Sequence, residues 1–321
     1  MMSTKLHKIL LAAACLALSA SAAADYPEKP IRFVVPFASG TATDQLARAL
    51  GQAITAETRQ QVIVDNKPGA NGFIGASEAA RSAADGYTVF ITTNTTHAAA
   101  EHLYKKLPYD PVKDFSPVTG LGKGGQIMVV NSSSPIGSVK DFIAAAKKSP
   151  GKLTYGSGSS SSRIAGEMLQ QLAGVDLLHV PYKSNTFAVT DLLGGQIDMM
   201  ITDTATGLPH VKSGKLKALG VSTKKRSPLA PDLPTIEEAG VPGYDMGYWF
   251  AAYAPAKTPP AVVSKLNELF AKAAKSQSAS TFYTNSGVDP FITTPDELAK
   301  FQAAESKKWE EIVRKAGIEK E

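Results

Sequence analysis

Residues 34–50, VVPFASGTATDQLARAL, pass from an apolar, strand-like run through a loop of small and hydroxyl residues into a helical pattern. The same order recurs along the chain. IRFVVPF (31–37) runs into ASGTATD, YTVFITT (87–93) into NTTHAAA, the strand at 152–156 into SGSSSSR, and the strand at 197–201 into TDTATG. Further strands are expected at 61–66, 126–131, 177–182, 216–222 and 248–255, with helices at 43–57, 138–148, 163–173, 186–194, 260–275 and 295–316. This alternation predicts an α/β protein with mainly parallel sheets, the class that binds ligands at the carboxyl ends of its strands. Taken singly, each hydroxyl loop reads as a helix cap. Four of them, split between the two halves of the chain, also form a set: helix N-termini with free N–H groups and hydroxyl donors are anion sites, and two facing sets would line a cleft. The first loop carries neither G-x-x-x-x-G-K-[ST] nor G-x-G-x-x-G, which argues against a nucleotide phosphate cradle. Asp44, three residues after Thr41, fits a reciprocal capping box instead. Hydroxyls and amides without a basic cluster suit a carboxylate.

The chain opens with Lys5 and Lys8, an apolar run from Ile9 to about Leu18, and small residues ending in Ala22, Ala23 and Ala24. That is the order of a secretory signal peptide, too short in its apolar part to span a membrane. Cleavage after Ala24 is expected; removing 24 of 321 residues leaves 297 and lowers the formal charge from +5 to +3. Cys15, the single cysteine, leaves with it. Lipidation of Cys15 is the rival processing route and is disfavoured by Ala12 where a leucine is wanted. The mature chain then has no thiol for a disulfide or a thiolate metal site. Lys105-Lys106 and Lys224-Lys225-Arg226 are short and separate, which does not make a nucleic-acid footprint. About 300 residues suit two domains.

In order along the mature chain, YPEKPIRFVVPFASGTATDQLAR, VDNKPGANGFIGASEAA, ADGYTVFITTNTTHA, LYKKLPYDPVKDFSPV, YGSGSSSSRIAGEML, VPYKSNTFAVTDLLGGQIDMMITD, GKLKALGVSTKKRSPLAPDLPTIEEAGVPGY and KWEEIVRKAGI resemble the Bug family, the TctC-like periplasmic solute-binding proteins of tripartite tricarboxylate transporters. The resemblance implies a two-domain periplasmic binding protein (type II, Venus flytrap) fold with crossing hinge strands near 126–131 and 248–255. Domain I would comprise residues 25–125 and 248–321, and domain II residues 126–247. It further implies a monomer in the periplasm without cofactor or metal, which captures a small carboxylate through loop amides, hydroxyls and bridging waters and delivers it to a tripartite-type permease. The family's first binding loop corresponds to Phe37, Ala38, Ser39, Gly40, Thr41, Ala42 and Thr43, and the second to Asn94, Thr95, Thr96 and His97. Domain II would add Ser157, Gly158, Ser159, Ser160, Ser161 and Ser162 with Arg163, then Tyr182, Lys183 and Ser184, then Asp203 and Thr204.

Departures from the family pattern bear on the ligand. The first loop is poorer in glycine than in relatives, Arg163 stands where relatives often carry histidine, and Ser184 follows Lys183 where glycine is usual. Arg163 could fork onto a second ligand carboxylate; the alternative is a surface arginine set against the helix dipole. Phe37, Tyr182 and Trp249 read as packing, with Phe37 the best candidate for an aromatic cleft wall. Together these lean toward a dicarboxylate, an aromatic one such as terephthalate included. His97, Lys183 and Asp203 each have a bracing or rim role as the plainer reading. His102, His179 and His210 show no metal-ligand spacing. Ser159 to Ser162 lack a G-x-S-x-G elbow and a nameable base, which argues against a serine hydrolase. An enzyme on the same scaffold, or a sensor feeding a signalling partner, are the alternatives to a transport receptor.

Overall fold

The computed structural model describes residues 26–228, 230–315 and 317–321; the leader, Cys15 and the expected cleavage position lie outside them. Chain order is β1 (Ile31–Val35), α1 (Ala42–Thr58), β2 (Val62–Asn66), α2 (Phe73–Ala80), β3 (Thr88–Thr93), α3 (Ala100–Leu103), β4 (Phe115–Asn131), α4 (Val139–Lys148), β5 (Thr154–Ser157) and α5 (Ser160–Ala173). It continues through β6 (Leu178–Pro181), α6 (Asn185–Leu193), β7 (Met199–Asp203), α7 (Thr204–Lys212), β8 (Leu216–Val221), β9 (Gly247–Pro255), α8 (Pro260–Ala273), α9 (Gln277–Ser286), β10 (Val288–Pro290) and α10 (Pro295–Lys315). No helix among the described residues is long and apolar enough to cross a membrane.

The architecture turns on β4, a strand of 17 residues. Its first part pairs antiparallel with β9, from Phe115 opposite Pro255 to Gly125 opposite Gly247. At Gln126 it changes partners, and its remainder lies antiparallel between β7 and β8. One lobe therefore forms around β2-β1-β3-β9 and the first part of β4, with β10 on the far edge of β4. The other forms around β8, the end of β4, β7, β5 and β6. Parallel pairing, expected to predominate, is confined among the named strands to β2-β1-β3 and β6-β5-β7. Every pair made by β4 or β9 is antiparallel. The reason is topological: β4 leaves the first lobe as β9 re-enters it, so the two crossings run in opposite directions.

Within the first lobe, α1 buries Leu46, Ala47, Leu50 and Ile54, spaced to fall on one helical face. They pack with Phe33 of β1 and Phe270 of α8, whose rings stack at 5.4 Å. Each such buried side chain contributes about 1.5–3 kcal/mol relative to exposure. The helix ends at Arg59 in the left-handed region, φ 61°. In the second lobe, α6 and α7 cover β4 and β7 through Val189, Leu192, Leu208, Ile127 and Met200. The loops that open α5 and α6 touch at Gly158, where an added Cβ would lie 1.9 Å from the carbonyl carbon of Ser184. Backbone cannot yield as a flexible side chain does. Gly158→Ala is expected to destabilise by about 3 kcal/mol in chemical denaturation, the upper part of the overpacking range. Gly194→Ala, whose methyl would meet its nearest neighbours at 3.6 Å, should leave the midpoint in place. Equal midpoints for both variants would refute this account of the contact.

Candidate functional site

Four helices begin at one place. The N-cap residues of α1, α5, α6 and α7 are Thr41, Ser159, Ser184 and Asp203, and all four line a narrow cavity of about 30 Å³ between the lobes. A parallel strand running into a helix places that helix's N-terminus at the strand's carboxyl end. Two such sheets facing each other across β4 and β9 bring the four N-termini together. The remaining wall is Phe37, Ala42, Thr43, Thr93, Tyr248 and Phe250 from the first lobe and Gln126, Ser161 and Asn185 from the second. None of the lining residues is Lys, Arg or His, and Asp203 is the one carboxylate among them.

The caps differ in detail. Thr41 Oγ1 accepts from Asp44 N at 3.4 Å, but the Asp44 carboxylate accepts from Gly40 N (2.9 Å), so the box expected at Thr41–Asp44 closes one residue early. Burial acts to raise the Asp44 pKa; hydrogen bonds from Arg48, Gly40 N and Asn66 outweigh it and hold the carboxyl below its usual range. The reciprocal box belongs to α5, between Ser159 and Ser162. Ser162 Oγ also bonds Asn185 Oδ1 at 2.9 Å, and Asn185 Oδ1 accepts from Gly158 N, which fixes the α5 and α6 starts to each other. Asp203 Oδ1 caps α7 by accepting from Thr206 N at 2.8 Å, and Oδ2 accepts from Asn185 at 3.3 Å. Burial raises the Asp203 carboxyl above its ordinary value despite those bonds. Gln126 is 1 % exposed with no partner for Oε1.

Of the residues expected to touch ligand, Phe37, Thr41, Ala42, Thr43, Ser159, Ser161, Ser184 and Asp203 line this cavity. Ser39 and Gly40 are exposed and Ala38 partly so. Asn94 and Thr95 face the other lobe: Ser161 Oγ donates to Asn94 Oδ1 at 3.2 Å and lies 3.2 Å from Thr95 Oγ1. Thr96 and His97 are fully buried. His97 stacks on Tyr253 at 3.9 Å and bonds Thr96 Oγ1 through Nδ1. Thr204 Oγ1 donates to the Ser286 carbonyl at the start of the return to the first lobe's sheet. Tyr182 donates to Asp191 (2.8 Å), and Lys183 is exposed. Gly158 packs against Ser184, and Ser160 Oγ is buried without a partner. Ser157 has a base beside it that spacing did not reveal, His179 Nε2 at 2.7 Å, but it does not line the cavity.

Arg163 is outside the cavity lining. Its guanidinium meets Glu321 at 2.6 Å and Glu167 at 3.7 Å. Glu321 is held on the first lobe by backbone bonds to Leu103 and Lys105, so the pair bridges the lobes. Thr93, Gln126, Asn185, Tyr248 and Phe250 line the cavity without having been singled out. The strand period of two was the available signal for Tyr248 and Phe250, which share one face of β9.

Two lobes joined by paired crossing strands, with helix N-termini converging on the cleft between them, define the two-domain solute-binding fold. A family model described as "Tripartite tricarboxylate transporter family receptor" matches residues 46–318. The protein BugT of Bordetella pertussis is 34 % identical over 312 residues, 96 % of this chain and 95 % of its own. Among solved structures, the periplasmic binding protein BugD superposes with a TM-score of 0.88 at 33 % identity, covering 92 % of this chain and all of its own. Rpa4515 of R. palustris, solved with adipate, gives 0.88 at 35 % identity, covering 91 % and 98 %. The chain belongs to the tripartite tricarboxylate transporter receptor family, whose Bug members are periplasmic binding proteins.

Two predictions test the roles assigned to residues off the cavity. Arg163→Ala and Glu321→Gln should each lower the melting temperature, and the double variant should lose less than their sum, with a coupling of up to about 1 kcal/mol; additive losses would show that the two side chains act independently. Burial holds His97 neutral with its pKa lowered to about 3. An unfolded histidine titrates near 6.5, so stability is full above that pH and is lost as pH falls from 6.5 toward 3. His97→Phe keeps the stack on Tyr253 and removes this term; its melting temperature should fall less than wild type's across that window, and parallel curves would contradict the assignment.

Proposed function

We propose that this protein is a periplasmic receptor that captures a small carboxylate in the cleft, closes over it, and presents the closed form to a permease of the tripartite tricarboxylate type. The observation that carries this reading is the convergence of the Thr41, Ser159, Ser184 and Asp203 N-caps on one cavity without a cationic side chain. Such a cavity offers dipoles and hydroxyls, which suit a carboxylate. Membership of a receptor family supports the transport role and the non-enzymatic role, and the Lys5–Ala24 order of charged, apolar and small residues supports export through a leader cleaved after Ala24. Residues 25–125 with 248–321, and residues 126–247, would move as the two units, hinged where β4 changes partners, and the protein would act as a monomer.

A dicarboxylate is the favoured ligand. Support comes from the adipate-bound relative and from the two-sided lining, with Thr41 and Thr43 facing Ser159, Ser184 and Asn185. Arg163 is engaged by Glu321, so the second carboxylate would fall to amides and hydroxyls rather than to a guanidinium. Phe37, Tyr248 and Phe250 give the cavity aromatic surface, which favours a ring-bearing acid such as terephthalate among the candidates.

A thermal-shift screen with adipate, terephthalate, monocarboxylates and tricarboxylates tests the proposal. Ligand at about a hundred times its dissociation constant adds roughly 2.7 kcal/mol, several degrees in melting temperature. Thr41→Val and Ser159→Ala should abolish the shift. If denatured protein releases no co-purified acid and none of these compounds shifts the transition, the proposal fails.

A further inference from the structure

Behind the crossing strands, on the side away from the ligand cavity, lies a groove of about 610 Å³. Gly124, Gly125 and Gly247 line it, with Tyr248 packed over Gly124 and Thr223 over Gly125, and its walls come from both lobes. Lys123 of β4 and Lys308 of α10 line it from the first, and Lys224, Lys225 and Arg226, from the loop after β8, line it from the second. Against these five cations stand two carboxylates, Asp289 and Glu305. Glu305 already accepts from Trp249 Nε1 at 3.0 Å, and Arg226 is paired with Glu238 at 2.8 Å. The Lys123 ammonium sits 3.5 Å from the centroid of the Phe291 ring and 4.0 Å from that of Phe301, a cation–π setting that holds the charge at a fixed point. Lys224, Lys225 and Lys308 are exposed.

We propose that this groove is a docking site for an acidic, extended segment of a partner protein. The charge excess asks for a polyanion, and cations spread over three elements ask for one that is longer than a single small acid. The half-buried Phe301 beside Lys123 offers apolar surface for the segment's side chains. Gln126 and Tyr248 line both this groove and the ligand cavity, so the docked segment would rest on the same residues that the ligand touches from the other side.

Fluorescence anisotropy of a labelled, short all-glutamate peptide against the purified protein tests the proposal. Binding is expected at about 20 mM salt and should weaken steeply at about 500 mM, where the screening length falls to a few ångströms. A variant with Lys123, Lys224, Lys225 and Lys308 changed to Gln should bind at least about tenfold more weakly, since one factor of ten corresponds to about 1.4 kcal/mol. Lys147→Gln with Lys148→Gln, which removes two lysines from the last turn of α4, should bind as wild type. An unchanged melting temperature for the quadruple variant separates lost docking from lost folding; if it melts early, Lys224→Glu with Lys225→Glu on the exposed loop replaces it. Equal weakening in both lysine sets, no binding at low salt, or displacement of the peptide by equimolar inorganic phosphate would each overturn the proposal. The ligand-binding reading does not enter the measurement, so its failure would leave this result standing.

Discussion

The antiparallel pairing of β4 with β9 is the constraint on which the molecule depends. The chain crosses between lobes on these two strands, and their ladder runs unbroken in direction from Phe115–Pro255 to Gly125–Gly247, with two register shifts on the way. Because β4 trades β9 for β7 and β8 at Gln126, the two sheets share one strand instead of being tied by flexible linkers. A shared strand limits relative motion to a bend about the partner change and keeps the carboxyl ends of both sheets aimed at one cleft. Gly120 illustrates the tightness of the arrangement: an added Cβ would lie 2.5 Å from the Phe291 carbonyl oxygen, so the β10 segment approaches β4 only where a side chain is missing.

What the cleft does to an anion follows from that aim. Each helix N-terminus behaves as roughly half a positive charge, and the four that meet here amount to about two. Asp203 withdraws about one of these, since its carboxylate serves as a cap on α7 and stands in the same cavity. The remainder matches one carboxylate without a lysine or arginine in the wall. A second ligand carboxylate has to be met by hydroxyls and amides, which discriminate by geometry more than by charge.

Much of this was legible in residues. The pattern at 34–50 announced β1, its loop and α1, and two of the loops like it mark the starts of α5 and α7. Strands at 216–222 and 248–255 appear at 216–221 and 247–255. Hidden from pattern reading was the first part of β4, FSPVTGLGKGG, because Pro117 and four glycines signal a loop. The register shifts beside Pro117 and Gly120 let those residues into a ladder. The reading of Arg163 shows a second limit. Its position at a helix start was informative, yet its partner is Glu321, 158 residues away, and no local spacing contains that information. The same holds for Ser157 and His179, brought together by the pairing of β5 with β6.

Closure can now be weighed. Among the described residues, hydrogen bonds and ion pairs that join the lobes besides the strands include Ser161 with Asn94 and Thr95, Thr204 with Ser286, and Arg163 with Glu321. Neutral hydrogen bonds contribute about 0.5–1.5 kcal/mol each and a solvent-accessible ion pair about 0–1. In the proposed closure these contacts stand against the water that the open cleft would hold and the hinge freedom lost on closing. Carrying such a pair of states from 1:99 to 99:1 takes about 5.5 kcal/mol of differential affinity. Contacts from Thr41 and Thr43 bind the open form as well as the closed one and shift nothing. In the proposed closure the differential would come from Ser159, Ser161, Ser184, Asn185 and Gln126, the second-lobe residues that line the cavity. On that reading selectivity would rest on the second lobe, where Asn185 is already fixed by its bonds with Gly158 and Ser162 before any ligand arrives.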